Sequence, residues 1–227
     1  MPKPTGSRAN GEVASTLESR LAIRQELPTT QRGRRTRGAL VAAARELFEQ
    51  RGFFETRISD IAKLSKTSYG SFYHYFETKE AVLHELFTTV AGEMFNASRT
   101  GTQGATDPVG RIAAANRQYF VVAARNAKLV SVIDEVAIRD PQFKELKLQI
   151  RDLFLSRNER AIRNLQDEGL VDPKIDPALT AAALGGMVEH FTQMWFIYGV
   201  TFDEGKSIET LTSIWARALG LPEPETS

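Results

Sequence analysis

The sequence contains no cysteine, which excludes disulfide bonds and metal sites with thiolate ligands. This absence suits a reducing compartment, and we expect a cytoplasmic protein. Histidine is also scarce, since His74, His84 and His190 are scattered and none forms a Glu-x-x-His pair. A metal site would need a His and carboxylate cluster that the sequence does not show. We therefore expect neither a metal nor another cofactor.

Long apolar runs are missing as well. No window of about 18 uninterrupted apolar residues predicts a membrane span, and the first 30 residues carry no apolar stretch typical of a secretory signal. The sequence also lacks an HExxH motif, a Gly-rich phosphate loop and a Gly-x-Ser-x-Gly elbow, so we do not expect an enzyme. Because 29 basic residues balance 28 acidic ones, a nucleic-acid partner must be argued from local charge.

What is present is helical patterning along most of the chain. The 227 residues, 42% of them hydrophobic, are enough for one large domain or two smaller ones with a sizeable core. Apolar residues recur at helical spacing, and no stretch shows the alternation of a strand. The fold class predicted is all-α.

Residues 58–76, "ISDIAKLSKTSYGSFYHYF", predict two short helices joined by a tight turn, the pattern of a helix-turn-helix. The side chains expected to face inward are apolar: Ile58, Ile61, Ala62, Leu64, Phe72 and Phe76.

The outer face of the second helix carries hydrogen-bonding groups with little charge, and Gly70 would let a partner approach the backbone. A recognition helix uses such groups against base edges and phosphates. Tyr69 and Tyr73 are expected at the surface, because their hydroxyls gain little from burial. Tyr75 stays open between core and surface.

A basic run, "RGRRTR", occupies residues 32–37. It is either a solvated tail without a partner or an arm that reaches the DNA backbone or minor groove. The helix-turn-helix pattern that follows it favours the arm.

Residues 40–86 resemble the DNA-binding domain of the TetR family of transcriptional regulators. The likeness rests on "ELFEQRGF", Thr56, "ISDIAKLSKTS" and "YGSFYHYFETKEAVL" at the family's spacing. One departure is Lys66, which stands where the family usually has Gly in the turn. A left-handed Lys costs about 1 kcal/mol more than Gly, so either the turn differs or Lys66 adds a phosphate contact.

The resemblance implies DNA-contacting residues in three groups. The DNA face would comprise Thr67, Ser68, Tyr69, Gly70, Ser71, Tyr73 and His74. Phosphate would be contacted by Arg57, Ser59 and Lys79. A flexible arm would be supplied by Arg34, Arg35 and Arg37. These contacts predict binding that weakens as salt rises.

Composition breaks and the resemblance together predict a domain organisation. It comprises a mobile tail with a possible short helix (1–31), the TetR-type helix-turn-helix DNA-binding domain (32–78), a linking helix (79–98), a linker (99–108), a helical ligand-binding and dimerisation domain (109–221) and a tail (222–227).

The last two helices of the second domain are apolar. Residues 177–198 are apolar nearly all round, and residues 204–219 carry a single apolar stripe. Family members pair through their last two helices as a four-helix bundle, which implies a homodimer interface. It would include Leu184, Val188, Ile208, Leu211 and Trp215. The alternative is that this stripe is ordinary core.

Aromatic and methionine side chains of the second domain predict an apolar ligand pocket between helices. Its lining would be Tyr119, Phe120, Ile133, Phe143, Phe154, Met187, Phe191, Met194 and Trp195. His190, Glu189 and Gln193 would orient the polar end of a hydrophobic or amphipathic effector. Plain core remains the alternative for each of these residues.

The sequence as a whole predicts a homodimeric DNA-binding transcription regulator. We expect a repressor that a hydrophobic or amphipathic small molecule releases from a palindromic operator. The alternative is an all-α small-molecule binding protein whose N-terminal unit mediates protein contacts.

Overall fold

A computed structural model of the chain describes residues 28–100 and 107–222. The described residues are helical with no strand, as predicted. In chain order the helices are α1 (Gln31–Arg51), α2 (Ile58–Leu64), α3 (Tyr69–Tyr75), α4 (Lys79–Thr100), α5 (Pro108–Arg139), α6 (Pro141–Asp167), α7 (Pro177–Thr192), a π-helical turn (Gln193–Ile197) and α8 (Glu204–Leu219).

The chain forms two compact units. Of the described residues, the first unit contains 28–92 and Lys128–Leu146, and the second contains 93–100, 107–127 and 147–222. Helices α4, α5 and α6 therefore each contribute residues to both units. The domain boundaries at 32–78, 79–98, 99–108 and 109–221 stay a prediction. The predicted tail and short helix over residues 1–27, the middle of the predicted linker and the tail at 223–227 lie outside the described residues.

The core of the first unit joins α1 to the helix-turn-helix. Its largest fully buried side chains are Leu40, Phe48, Ile61, Phe72, Phe76, Val82, Leu83, Leu129 and Ile133. The expected inward positions of Phe72 and Phe76 are confirmed, and their ring centroids lie 5.9 Å apart. Burying two phenylalanines supplies several kcal/mol, about 1.5–3 kcal/mol for each ring.

The core of the second unit gathers apolar side chains from α5, α6, α7 and α8. Its members include Phe120, Ile162, Leu165, Ala181, Leu184, Val188, Ile208, Leu211, Trp215 and Leu219. Both C-terminal helices begin at an aspartate N-cap, since Asp176 accepts from the Leu179 N–H at 2.9 Å and Asp203 from the Lys206 N–H at 2.8 Å.

Side-chain hydrogen bonds shape two of the helices. Helix α5 runs unbroken over 32 residues. Asn126 fits inside the helix because its Nδ2 donates to the Val122 carbonyl at 2.8 Å, one turn back. Thr56 does not cap α2: its buried hydroxyl donates to the Gly52 carbonyl at 2.7 Å, and Arg57 is the N-cap residue.

Across the described helices, none combines the length and the hydropathy that a membrane span requires.

Candidate nucleic-acid interface

The turn between α2 and α3 is a tight helix end with a left-handed residue. Lys66 has φ 57°, which is the left-handed conformation. The sequence anticipates it, because Lys66 stands where the TetR family usually has Gly. The Lys66 N–H donates to the Lys63 carbonyl at 3.2 Å and the Thr67 N–H to the Ala62 carbonyl at 2.9 Å. This 5→2 and 6→1 pairing is a Schellman motif, so the turn keeps the geometry that Gly would give and stores strain in a lysine.

Replacing Lys66 with Gly should therefore stabilise the protein. We expect a gain of about 1 kcal/mol in the free energy of unfolding, because removing left-handed strain outweighs the added entropy of the unfolded chain. Urea unfolding followed by circular dichroism measures it. The matched control is Lys63→Gly, in the last turn of α2, which should lose about 1 kcal/mol. Destabilisation by Lys66→Gly would show that its side chain contributes more than its backbone costs.

Helix α3 has one buried and one exposed face. Ser68 begins the helix by accepting from the Ser71 N–H at 3.1 Å. Phe72 is fully buried, whereas Tyr69 and Tyr73 are 55% and 47% exposed. The packing of Phe72 thus fixes the orientation of the helix and turns both tyrosines outward.

The exposed tyrosines form a pair. Their hydroxyls are 3.1 Å apart and their rings meet edge to face at 5.3 Å. The hydrogen bond from Tyr69, followed by burial, raises the pKa of Tyr73. The Tyr73 phenol therefore stays neutral near pH 7, and a phenol hydroxyl can both donate and accept, as base edges and phosphates require.

The rest of the predicted DNA face surrounds this pair. Ser68, Gly70 and His74 are exposed, and Thr67 and Ser71 are partly exposed. A Cβ at Gly70 would meet no atom within 4 Å, so the surface above it is open. Their contact with DNA stays a prediction.

Tyr75, which the sequence does not assign to either core or surface, is partly buried. A Cβ added at the buried Gly33 would lie 2.8 Å from Pro28 Cβ, 3.0 Å from Thr30 Oγ1 and 3.6 Å from the Tyr75 hydroxyl. Gly33 is therefore needed where the first turn of α1 packs against Pro28 and Thr30, and the Tyr75 hydroxyl lies at an ordinary contact distance. Sequence reasoning missed this role, because Gly33 stands within a basic run and has no neighbour in sequence that signals close packing.

The basic run is not a flexible arm. Residues 32–37 form the first two turns of α1, which Thr30 caps by accepting from the Gly33 N–H at 3.1 Å. Arg34 Nη1 donates to the Thr29 carbonyl at 2.7 Å, and Arg35 is exposed. The prediction of a flexible arm is thus wrong for these described residues, because a capped helix already satisfies their backbone.

Arg37 is held inside the first unit. Its guanidinium forms a two-pronged ion pair with Glu85 and lies 4.7 Å from the centroid of the Phe76 ring. These contacts join α1 to α4. The guanidinium serves the fold, and no sequence signal marks its partner Glu85, which is 48 residues away.

Lys79 also contributes to the fold. Its ammonium donates to the carbonyls of Phe53 and Thr56 at 2.9 and 3.1 Å and lies over the Phe53 ring at 4.3 Å. An ammonium has three donors, so one is left for a phosphate. Arg57 and Ser59 are exposed at the start of α2, as a phosphate contact would need.

The structure divides the predicted ligand pocket between the two units. Ile133 and Phe143 are buried in the first unit, and their part in a ligand site stays a prediction. Seven remain in the second unit: Tyr119, Phe120, Phe154, Met187, Phe191, Met194 and Trp195. All of these except Phe120 are partly exposed.

The predicted dimer residues are core. Leu184, Val188, Ile208, Leu211 and Trp215 are buried within the single chain, as part of the core of the second unit. A side chain already covered by its own chain has no surface to give to a partner. The apolar stripe therefore points inward, which was the alternative reading of the pattern.

Comparison with known proteins agrees with this geometry. Residues 40–86 match the family model described as "Bacterial regulatory proteins, tetR family". The chain is 26% identical to the HTH-type transcriptional regulator YdgC of Bacillus subtilis over 74% of this chain and 85% of that protein. It is 26% identical to the HTH-type transcriptional regulator EthR of Mycolicibacterium smegmatis over 84% of this chain and 92% of that protein.

A solved structure shares the fold. A Syntrophomonas wolfei protein assigned to the TetR-family transcriptional regulators superposes with a TM-score of 0.68 at 23% identity, covering 82% of this chain and 96% of that one. Regulators of this kind bind DNA and are not enzymes. With its helix-turn-helix, its outward tyrosines and these relatives, the chain is a DNA-binding transcription regulator whose residues 40–86 match the TetR family model.

Proposed function

We propose that this regulator is a cytoplasmic homodimeric repressor, released from a palindromic operator by a hydrophobic or amphipathic small molecule. The observation that carries the proposal is the outward face of α3, where two exposed, hydrogen-bonded tyrosines lie beside an exposed N-terminal turn. Each subunit would place Ser68–His74 in the major groove of one half-site. Two-fold symmetry of the protein requires a matching symmetry in the DNA.

Phosphate contacts would flank this helix. Lys66 and Arg57 are exposed on either side of α2, and Lys79 retains one donor. Arg34 and Arg35 are exposed in the first turns of α1 and offer further charge. Each contact releases counterions, so the affinity should fall steeply with salt.

The second subunit would pack on the outer faces of α7 and α8. These helices bury one face in their own core, yet Leu179 is 71% and Ile214 is 41% exposed on the other. Ala183 and Ala218 are also exposed and would let helices approach closely. Exposed apolar side chains on the last two helices are the surface that a homodimer would cover.

Ile214→Glu should convert the protein into monomers. A carboxylate placed in an apolar two-fold interface is buried twice without a partner. Analytical ultracentrifugation measures the association, and circular dichroism checks that each subunit stays folded. The matched control is Ile138→Glu, at an exposed isoleucine of the first unit, which should leave the dimer intact. A dimeric Ile214→Glu protein would place the interface elsewhere.

An effector would bind among the partly exposed aromatic side chains of the second unit. Its binding would act on α4, which begins at Lys79 in the first unit and reaches Thr100 in the second. The ligand must prefer one of two positions of this helix, because equal affinity for both releases nothing.

The test is a gel shift with promoter DNA from beside the protein's own gene, at increasing salt. We expect sequence-selective binding that weakens as salt rises, and repression of a reporter carrying the same promoter. Binding that does not depend on sequence would contradict the proposed operator. An absence of DNA binding alongside tight small-molecule binding would favour the alternative, a small-molecule binding protein.

A further inference from the structure

The second unit contains a continuous run of aromatic rings, which we call the aromatic run. Successive ring centroids lie 5.4 Å apart for Phe95 and Phe154, 6.3 Å for Phe154 and Tyr119, 6.4 Å for Tyr119 and Phe120, and 5.7 Å for Phe120 and Trp195. Phe191 adjoins Phe120 at 6.1 Å. One end of the run is wholly apolar, and the other ends at a cation.

That cation is Arg157 on α6. Its guanidinium lies 4.8 Å from the centroid of the Phe95 ring and 5.3 Å from that of Phe154. Nη1 donates to the Phe95 carbonyl at 3.2 Å and to Ser98 Oγ at 2.5 Å, and Nη2 lies 3.5 Å from Asn158 Oδ1. Every acceptor is neutral. Within the part of the chain that the structure describes, no carboxylate pairs with Arg157.

A partly buried guanidinium without an anion is costly, because neutral acceptors replace only part of its hydration. Burial lowers the pKa of Arg157 to about 10, and the nearby Tyr119 opposes this effect. The group therefore stays charged at neutral pH. Burial, and next the negative charge of Glu189, raise the pKa of the Tyr119 phenol, which remains a neutral donor.

A second donor without a partner lies on the same helix as Tyr119. Asn116 is only 7% exposed, and its Nδ2 has no acceptor among the described residues. It precedes Tyr119 by three residues and Phe120 by four, so the three side chains share one face of α5. Buried amide donors in native proteins nearly always have an acceptor. This face thus combines apolar rings with donors that call for an acceptor oxygen.

We propose that Arg157 recognises the carboxylate of an amphipathic effector whose apolar chain packs against Phe120, Phe191 and Trp195. A guanidinium presents its N–H groups as a planar fork that matches the two oxygens of a carboxylate. This inference rests on the proposed function, since it names the chemical class of the effector. It also assigns to the Arg157 guanidinium the role that the sequence predicts for His190, Glu189 and Gln193, which is to orient the polar end.

Recognition of this kind would act directly on α4. In the present structure the guanidinium is bound to Phe95 and Ser98, in the last two turns of that helix. A carboxylate would compete for the same N–H groups. The anion would therefore favour the state in which α4 is released from Arg157, which is the differential affinity that a release mechanism requires.

A purely structural role for Arg157 makes a different prediction. If the guanidinium only ties α6 to α4, its removal should weaken or preserve the binding of all apolar ligands equally. If it recognises an anion, its removal should affect only the acidic ligand.

The experiment compares three probes with the same ten-carbon chain: decanoate, decanol and decyltrimethylammonium. Each is titrated into the full-length protein, below micelle-forming concentrations, and followed by the fluorescence of Trp195 and Trp215. We expect decanoate to bind about 10- to 100-fold more tightly than decanol, the ratio expected of a charge-assisted hydrogen-bonded pair. Decyltrimethylammonium should bind most weakly.

Arg157→Gln should abolish the preference for decanoate and leave the affinity for decanol unchanged. Arg157→Lys keeps the charge but loses the fork, so it should retain part of the preference. The matched control is Arg160→Gln, an exposed arginine on the same helix, which should behave as the wild type. If Arg157→Gln fails to fold, the wild-type ratio and Arg157→Lys still decide the outcome.

The proposal is overturned if decanol binds the wild type as tightly as decanoate, if no probe binds, or if Arg157→Gln keeps the preference. Its failure is distinct from that of the proposed function, because the titration contains no DNA. Operator binding without carboxylate preference would refute only the effector class. Carboxylate preference without operator binding would refute only the repressor.

Discussion

Tyr73→Ala should abolish operator binding and leave the folded dimer intact. The Tyr73 side chain is exposed on α3, and its hydroxyl is hydrogen-bonded to that of Tyr69. Removing it eliminates one contact to a base or phosphate and leaves the Tyr69 hydroxyl without the partner that positions it. A good base contact is worth about 1–3 kcal/mol. The proposed symmetric dimer would lose it twice, which corresponds to an affinity about 30- to 20,000-fold lower.

Gel-shift titration measures that affinity, and sedimentation and thermal unfolding check the dimer and the fold. Because Tyr73 is largely outside the core, its loss should change stability by less than about 1 kcal/mol. Tyr198→Ala is the matched control, since Tyr198 is another exposed tyrosine but lies in the second unit. Unchanged operator affinity for Tyr73→Ala would remove α3 from the interface.

Phe72→Ala, one residue away, should destabilise the fold, whereas Tyr73→Ala removes a DNA contact from a folded protein. Phe72 is fully buried, with Phe76 and Tyr73 packed against its ring at 5.9 and 5.5 Å. Truncating a buried phenylalanine costs about 3–5 kcal/mol, a large part of the stability of a typical domain. We expect the helix-turn-helix to unfold and DNA binding to be lost with it.

Urea unfolding measures the lost free energy, and hydrogen exchange of residues 58–76 locates it. The matched control is Phe54→Ala, because Phe54 is an exposed phenylalanine of the same unit, stacked on Arg139. It should cost less than about 1 kcal/mol. A Phe72→Ala protein as stable as this control would show that α3 is held by other contacts.

These two predictions assign a buried role to one aromatic residue of α3 and an exposed role to its neighbour. The sequence pattern alone already indicates which is which. Phe72 and Phe76 follow the i, i+4 spacing of a buried face, while the hydroxyls of Tyr69 and Tyr73 favour water. The left-handed conformation at Lys66 was also foreseeable, since the turn that joins two short helices needs one. Such features depend on neighbours within a few residues.

Other features depend on partners far along the chain. Arg37 pairs with Glu85, 48 residues on, and Arg157 binds Phe95, 62 residues back. No local sequence pattern indicates partners at such separations. The arginines of residues 32–37 therefore resemble a flexible arm until the structure shows what each one contacts.

The sequence by itself determined that the chain is helical, where its helix-turn-helix lies and which side of α3 faces outward, because local periodicity and turn chemistry carry that information. Only the tertiary structure decided what covers each apolar face. Leu184, Ile208 and Trp215 lie on faces that could meet either their own chain or a second subunit. Periodicity reports that such a face must be buried, and packing alone selects the surface that buries it.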